Sequence, residues 1–314
     1  GAAYLMEYLD NTLKTADQVK RELHLTTLGA IPMIQSAGEA DSKLVMLNSK
    51  QSGPTEAFRV LRTNLQFASV DRPLGLVLIT SPSPAEGKSL TSANLSVALA
   101  RSGKRVILVD ADLHRPSQHR IFRLINHSGL TNALLGDSSG IEPLLQPGPV
   151  ENLRILTTGP LPPNPAELLS TKRMQDILQM LRGMADIVVL DSPPVTVVAD
   201  TAQVASQADG VVLVLNTQRT TRDAAKRALG ALTQVKANML GVLLNGVSTQ
   251  NTGYHYYYYA SYGNNYARNE RGTQSKDKSK PVPLLTPPKG TSIGETGAAS
   301  LEGNVGRITT ATGD

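Results

Sequence analysis

Short runs of Val, Ile and Leu recur from Leu74 to Gly246, each apolar at consecutive positions, and longer segments of helical spacing separate them. A strand that is apolar at odd and even positions alike has no face to give to water, so it belongs in a parallel sheet covered by helices on both sides. The pattern predicts strands at Leu76 to Thr80, Arg105 to Asp110, Leu153 to Thr157, Asp186 to Asp191, Gly210 to Leu215 and Leu240 to Leu244. Between them, helices are expected at Ser89 to Arg101, Asp200 to Gln207 and Thr221 to Val235. Another should start at Asn164-Pro165, an N-cap followed by proline at the first helical position, and run to Arg182. This alternation predicts an α/β fold with a doubly wound, mostly parallel sheet.

Outside that stretch the pattern changes. Tyr4 to Leu23 has helical periodicity mixed with charge, Thr55 to Phe67 reads as an amphipathic helix, and Ala37 to Gly53 reads as a linker between them. After Ser248 periodicity stops, and Ala267 to Asp314, rich in Gly, Ser, Thr, Pro and Lys, is expected to be a disordered C-terminal tail. Between periodicity and tail sits a cluster holding seven of the nine tyrosines: Tyr254, Tyr256, Tyr257, Tyr258, Tyr259, Tyr262 and Tyr266.

Composition narrows the chemistry. With no cysteine in 314 residues, disulfide scaffolds, thiolate metal sites and cysteine nucleophiles are excluded together, leaving oxygen and nitrogen groups. A net charge of +5 mildly favours anionic partners without choosing among nucleotide, nucleic acid and lipid headgroups. No stretch approaches the roughly 18 consecutive apolar residues that cross a bilayer, and the N-terminus has no secretion signal. A chain beginning at Gly1 reads as a piece of a longer protein.

The most informative passage runs from Leu76 to Leu99, where an apolar strand leads into Ser81-Pro82-Ser83-Pro84-Ala85-Glu86-Gly87-Lys88-Ser89 and then a helix. Backbone N–H groups of such a loop curl around phosphate oxygens, the helix N-terminus adds a favourable dipole, Lys88 adds a point charge and the Ser89 hydroxyl suits magnesium. Pro82 replaces the usual first glycine, so Gly-Lys-Ser alone could be an ordinary strand-to-helix turn. Two more segments strengthen the phosphate reading: Val106 to Val109 leads to Asp110-Ala111-Asp112, and Ile187 to Leu190 leads to Asp191. Both put carboxylates at the carboxyl ends of buried strands, where open α/β sheets build ligand crevices. Magnesium takes such oxygens alongside water and phosphate. ATP is therefore the expected ligand, and the absence of an Asn-Lys-x-Asp sequence argues against GTP.

These segments resemble the bacterial tyrosine autokinases of capsule and exopolysaccharide systems, the BY-kinases, within the deviant-Walker P-loop NTPase group. Ser81 to Ser89 is similar to the family's Walker A, Val106 to Asp112 to Walker A′, Ile187 to Asp191 to Walker B, and Tyr254 to Tyr266 to its phosphoacceptor cluster. The resemblance implies a protein-tyrosine kinase using ATP and Mg2+ to phosphorylate its own tyrosine cluster in trans. Lys88, Asp110, Asp112 and Asp191 would be catalytic; Glu86, Gly87, Lys88, Ser89, Leu90 and Asn245 would hold the nucleotide; Ser89, Asp112 and Asp191 would hold the metal. Asp110 would take the phenolic proton. Asn245 can both donate to and accept from an adenine edge, although a strand-end turn would also suit it.

Glu56, Arg59 and Arg62 share one helical face, which a solvated surface or an interface would both explain. Their Glu-x-x-Arg-x-x-Arg pattern resembles the family's subunit contact, implying a homo-oligomer, expected to be a ring. Tyr4 to Pro32 is similar to the cytoplasmic segment that follows a transmembrane helix in polysaccharide co-polymerases. The implied organisation is a membrane-proximal segment and linker over residues 1–53, a P-loop kinase domain over 54–248, the tyrosine cluster over 249–266 and the tail over 267–314. Implied partners are a transmembrane co-polymerase segment and a tyrosine phosphatase at the cytoplasmic face of the inner membrane, with no nucleic acid expected. Departures from the family are Ser83 and Ala85 in the loop and His114 where an arginine is usual, with Arg115 beside it. The alternatives are a ParA/MinD-like positioning ATPase and a nucleotide-responsive scaffold with little turnover.

Overall fold

The computed structural model describes residues 11–34, 43–48, 52–68, 73–136, 140–198 and 200–248. The tyrosine cluster and the tail expected beyond it lie outside the described residues, as do residues 4–10 of the first expected helix.

The described chain builds an eight-stranded sheet from β1 (Thr27–Pro32), β2 (Leu76–Thr80), β3 (Val106–Asp110), β4 (Gln146–Pro147), β5 (Leu153–Leu156), β6 (Ile187–Asp191), β7 (Gly210–Asn216) and β8 (Met239–Val247). The spatial order is β1-β8-β7-β2-β6-β3-β5-β4, with only β4 antiparallel to its neighbour. The six strands expected from apolar runs are all present, and the mostly parallel, doubly wound sheet agrees with the sequence pattern. Because strand side chains alternate between faces, Leu76 and Leu78 of β2 enter one core while Val77 and Ile79 enter the other. The first core also takes Leu178, Leu181 and Leu232 from α7 (Lys172–Met184) and α9 (Arg222–Gln234). The second takes Phe58, Leu61 and Leu65 from α2 (Gly53–Phe67) and Leu95 and Leu99 from α3 (Lys88–Ala100).

α3 is buried along most of its length, so its polar side chains need internal partners. Ser92 and Ser96 donate back to the carbonyls of Lys88 and Ser92, and Asn94 bridges Leu90, Lys43 and Met46. These bonds satisfy the polar side chains of α3 within the helix itself and against the turn at Lys43 to Met46.

Three differences from the sequence reading have local causes. The single helix expected from Asn164 to Arg182 is two, α6 (Pro165–Leu169) and α7, because Thr171 leaves helical geometry and its hydroxyl accepts from the Met174 amide as a fresh N-cap. Asn164 does occupy the cap position of α6, but its side-chain amide bonds Glu167 rather than the backbone. The segment placed ahead of the core contributes to it: Thr15 caps α1 (Ala16–Leu23), Leu13, Val19 and Leu23 are buried, and β1 pairs in parallel with β8 as an edge strand. Gly29, Ala30 and Pro32 hide that strand from propensity, and Pro32 is tolerable only at an edge. Within the expected linker, Leu44, Val45 and Met46 are buried around a short 3₁₀ turn at Val45–Leu47.

Among the described residues no helix is long and apolar enough to cross a membrane.

Candidate nucleotide and metal site

The carboxyl ends of β2, β3 and β6, three adjacent strands, gather the predicted phosphate loop and all three predicted aspartates. β3 pairs with β6 so that Asp110 lies directly opposite Asp191, and Asp112 follows one turn of loop later. Lys88, at the first position of α3, reaches across this gap. Its Nζ lies 2.8 Å from Asp112 Oδ2, 3.9 Å from Asp191 Oδ1 and 3.2 Å from Ser89 Oγ.

Burial dominates the electrostatics here. Asp110 and Asp191 have no exposure and Asp112 has 2 %, with Lys88 as the cation paired to two of them. Burial opposes the charge of Lys88, but Asp191 and Asp112 outweigh it and hold the ammonium above the usual lysine range. For Asp110, burial and the facing Asp191 charge push the carboxyl up to about 8. Asp191 is also raised by burial, against the pull of Lys88. Three buried carboxyl groups face one ammonium, so a further cation would offset the charge of those that ionise, and the available donors, carboxylates and the Ser89 hydroxyl, are hard oxygens. Both properties fit a divalent magnesium ion. Among the described residues no three acidic or histidine groups enclose a metal by themselves, so such an ion would keep water and phosphate ligands, as magnesium does.

The loop itself is built around Gly87. Its φ of +93° is strained for a residue with a side chain, and an added Cβ would sit 2.1 Å from Asn245 Nδ2. Asn245, on β8, donates that nitrogen to the Glu86 carbonyl at 2.9 Å, so the residue expected at an adenine edge also braces the loop backbone. Leu90 lies in the first turn of α3, half-buried. Ala85, one of the two loop positions where the family resemblance leads one to expect glycine, adopts a left-handed φ of 62°. His114 and Arg115 both turn their backbone amides toward Asp112 Oδ1, so the departure at His114 leaves that loop bond in place.

Asp110 is more constrained than its expected role suggests. Its Oδ2 accepts from the Ser117 and Gln118 amides at 2.9 and 2.8 Å, and its Oδ1 from the Asp112 amide at 3.3 Å. It thus holds the start of the short helix α4 (Gln118–Ile121). Glu56 and Arg59 pair with each other along α2 at 3.0 Å, while the Arg62 Nε is buried without a hydrogen-bond partner.

Sequence reasoning missed two members of the site. Gln118 donates from Nε2 to Asp191 Oδ2 at 2.7 Å, and nothing in its sequence neighbourhood marks it. Thr220 donates to Glu86 Oε1 at 2.7 Å, while the Ser83 amide donates to Glu86 Oε2 at 3.1 Å. Glu86 is buried, and burial pushes its carboxyl up to about 7 despite these bonds. The folded state therefore binds a proton there that the unfolded chain, near 4.5, has released. Stability should fall as pH rises from about 4.5 through about 7, by up to about 3 kcal/mol at 1.36 kcal/mol per pKa unit. Glu86→Gln should flatten that segment of the Tm-against-pH curve and melt higher than wild type at pH 8; parallel curves for the two proteins would refute the assignment.

A parallel sheet whose central strand enters a Gly-Lys-Ser loop, beside two strands ending in aspartate, defines a P-loop NTPase of the deviant-Walker kind. The family described as "ParA: NUBPL iron-transfer P-loop NTPase" matches residues 75–278. Tyrosine-protein kinase YwqD of Bacillus subtilis is 43% identical over 215 residues, which cover 68% of this chain and 90% of that protein. Putative tyrosine-protein kinase CapB of Staphylococcus aureus is 35% identical over 218 residues, 69% of this chain and 95% of that one. Among solved structures, the kinase domain of Escherichia coli tyrosine kinase ETK matches with a TM-score of 0.68 at 29% identity, covering 74% of this chain and 94% of that one. The chimerical protein CapA2B2 matches with a TM-score of 0.69 at 34% identity, covering 75% of this chain and all of that one. The chain belongs to the bacterial tyrosine-protein kinases, within the ParA-type P-loop NTPases.

Proposed function

We propose that this kinase transfers the γ-phosphoryl group of ATP to tyrosines between Tyr254 and Tyr266, on an adjacent copy of the chain. The observation that carries the reading is the convergence of Lys88, Asp112 and Asp191 at the mouth of the phosphate loop, in a chain that also holds seven clustered tyrosines. Lys88 and the loop amides would stabilise phosphate charge as it moves. Glu86, Gly87, Ser89 and Leu90 would cradle the phosphates, and Asn245 Oδ1 would receive the adenine amino group. Ser89, Asp112 and Asp191 would hold magnesium, which would supply positive charge against that of the phosphates.

In the reaction the phenolic oxygen forms a bond to the γ-phosphorus, the bond from that phosphorus to the β–γ bridging oxygen breaks, and ADP leaves. The phenolic proton passes to Asp110. Its position opposite Asp191, at the strand ends beside the phosphate loop, supports that role. Each phosphotyrosine then adds about −1.5 to −2 charge, so successive modification would drive copies apart. Glu56, Arg59 and Arg62 would form the contact of a ring at the cytoplasmic face of the inner membrane. There the cycle of assembly, phosphorylation and reset by a tyrosine phosphatase would regulate polysaccharide polymerisation and export with a transmembrane co-polymerase segment.

The test is incubation with ATP and magnesium followed by phosphosite mapping. Phosphate on residues 254–266 is expected. Phosphate release without phosphotyrosine would instead support a positioning ATPase, and nucleotide binding without either product would support a scaffold.

A further inference from the structure

We propose that Gln118 is a positioning residue that sets the orientation of the Asp191 carboxylate and locks it to the phosphate loop, an inference that rests on the nucleotide and magnesium reading above. Gln118 has no exposure and touches all three parts of the site. Its backbone N–H donates to Asp110 Oδ2 at 2.8 Å. Its side-chain Nε2 donates to Asp191 Oδ2 at 2.7 Å and to the Ser89 carbonyl at 3.0 Å. One amide nitrogen thus spans the carboxyl end of β6 and the first turn of α3.

The orientation of that amide is dictated by its neighbours. A carboxylate oxygen and a carbonyl oxygen both accept, so only the NH₂ end of the glutamine can face them. The opposite end, Oε1, is buried with no hydrogen-bond partner. A leucine or methionine would fill the same volume without leaving an acceptor unpaired, so packing alone gives no reason for an amide here. Its two N–H bonds do. They occupy Asp191 Oδ2 and leave Oδ1 turned toward Lys88 Nζ at 3.9 Å and Ser92 Oγ at 3.4 Å, the side on which the phosphates and magnesium would sit. Without the amide the carboxylate is free to rotate about its last bond. Outer groups that orient a metal-binding carboxylate typically change metal affinity by about 10–100-fold.

Gln118→Leu separates this role from a structural one when ADP binding is measured by calorimetry in magnesium and again in EDTA. Affinity in magnesium should fall about 10-fold or more, while affinity in EDTA should stay within about 2-fold of wild type. In an Asp191→Asn background the same substitution should change affinity in magnesium by less than about 2-fold, because residues acting through one another are not additive. Gln118→Met, which keeps the side-chain length, should repeat the result if Gln118→Leu does not fold. Equal losses in magnesium and EDTA, a loss that persists beside Asp191→Asn, no loss at all, or failure of both variants to fold would each overturn the inference. If wild-type protein binds no ADP in either buffer, the nucleotide reading itself fails, which is a different result from a wild type that binds and a Gln118 variant that binds equally well.

Discussion

Lys88→Met should lower phosphotyrosine formation by at least about 100-fold and also make the protein less stable, two effects with separate causes. The catalytic loss follows from removing the point charge that meets the transferring phosphoryl group. The stability loss follows from what Lys88 does before any nucleotide arrives. It is the ammonium paired to Asp112 and within 4 Å of Asp191, and both carboxylates are buried. Removing one partner of a buried ion pair leaves the other charge without compensation, at about 3 kcal/mol or more. At about 2–4 °C per kcal/mol for a domain of this size, Tm should fall by roughly 6–12 °C. The direction of the pH dependence is also set. Asp110 and Asp191 have folded pKa values raised above the ordinary range, so at lower pH they take up protons and the missing ammonium matters less. The Tm deficit should be smaller at pH 6 than at pH 9, both below the ordinary lysine range. Circular-dichroism melts at the two pH values, with phosphotyrosine blotting of the same samples, check both effects; a variant that melts like wild type at pH 9 would contradict the account of the buried charges.

Gly87→Ala should reduce nucleotide affinity by at least about 10-fold. A single methyl group acts twice at this position. It imposes left-handed strain of about 1–2 kcal/mol on a residue at φ +93°. It also enters space 2.1 Å from the Asn245 side-chain nitrogen, so that amide must leave the Glu86 carbonyl it now holds at 2.9 Å. Relief of the clash therefore releases the backbone of the phosphate loop at Glu86, next to the amides meant to hold phosphate. Together these amount to roughly 2 kcal/mol of lost stability or affinity, by the strain above plus one net hydrogen bond. Titration with a fluorescent ATP analogue is the measurement. Gly103→Ala is the comparison: its φ of +87° carries similar strain, but its Cβ would meet nothing within 4 Å. That variant should lose stability without losing nucleotide. If both glycine variants bind ATP equally well, the bracing of the loop by Asn245 is not what holds it open.

Much of the architecture could be read from local pattern. The six apolar runs became β2, β3, β5, β6, β7 and β8 within a residue or three of their expected ends, because a strand buried on both faces carries its signature in consecutive residues. Thr221 capping α9 through the Ala224 amide agrees with the helix expected from there. The break at Thr171 was missed because apolar spacing continues across it, and only the backbone shows that the threonine hydroxyl starts a second helix. β1 was missed for the opposite reason: Gly29 and Pro32 argue against a strand, and what makes it one is the partner edge offered by β8.

The candidate site divides in the same way. The order of residues by itself determined that a lysine and a serine open a helix after a buried strand, that two further strands end in aspartate, and that tyrosines cluster beyond the sheet. Each of those statements concerns neighbours along the chain. Only the tertiary structure decided that Lys88 spends its charge on Asp112, 24 positions away, that Gln118 holds Asp191 from 73 positions away, and that Thr220 and Asn245 reach Glu86 from 134 and 159. Hydrogen bonds and ion pairs depend on distances through space, and those distances exist only once parallel strands have brought remote loops to one end of the sheet.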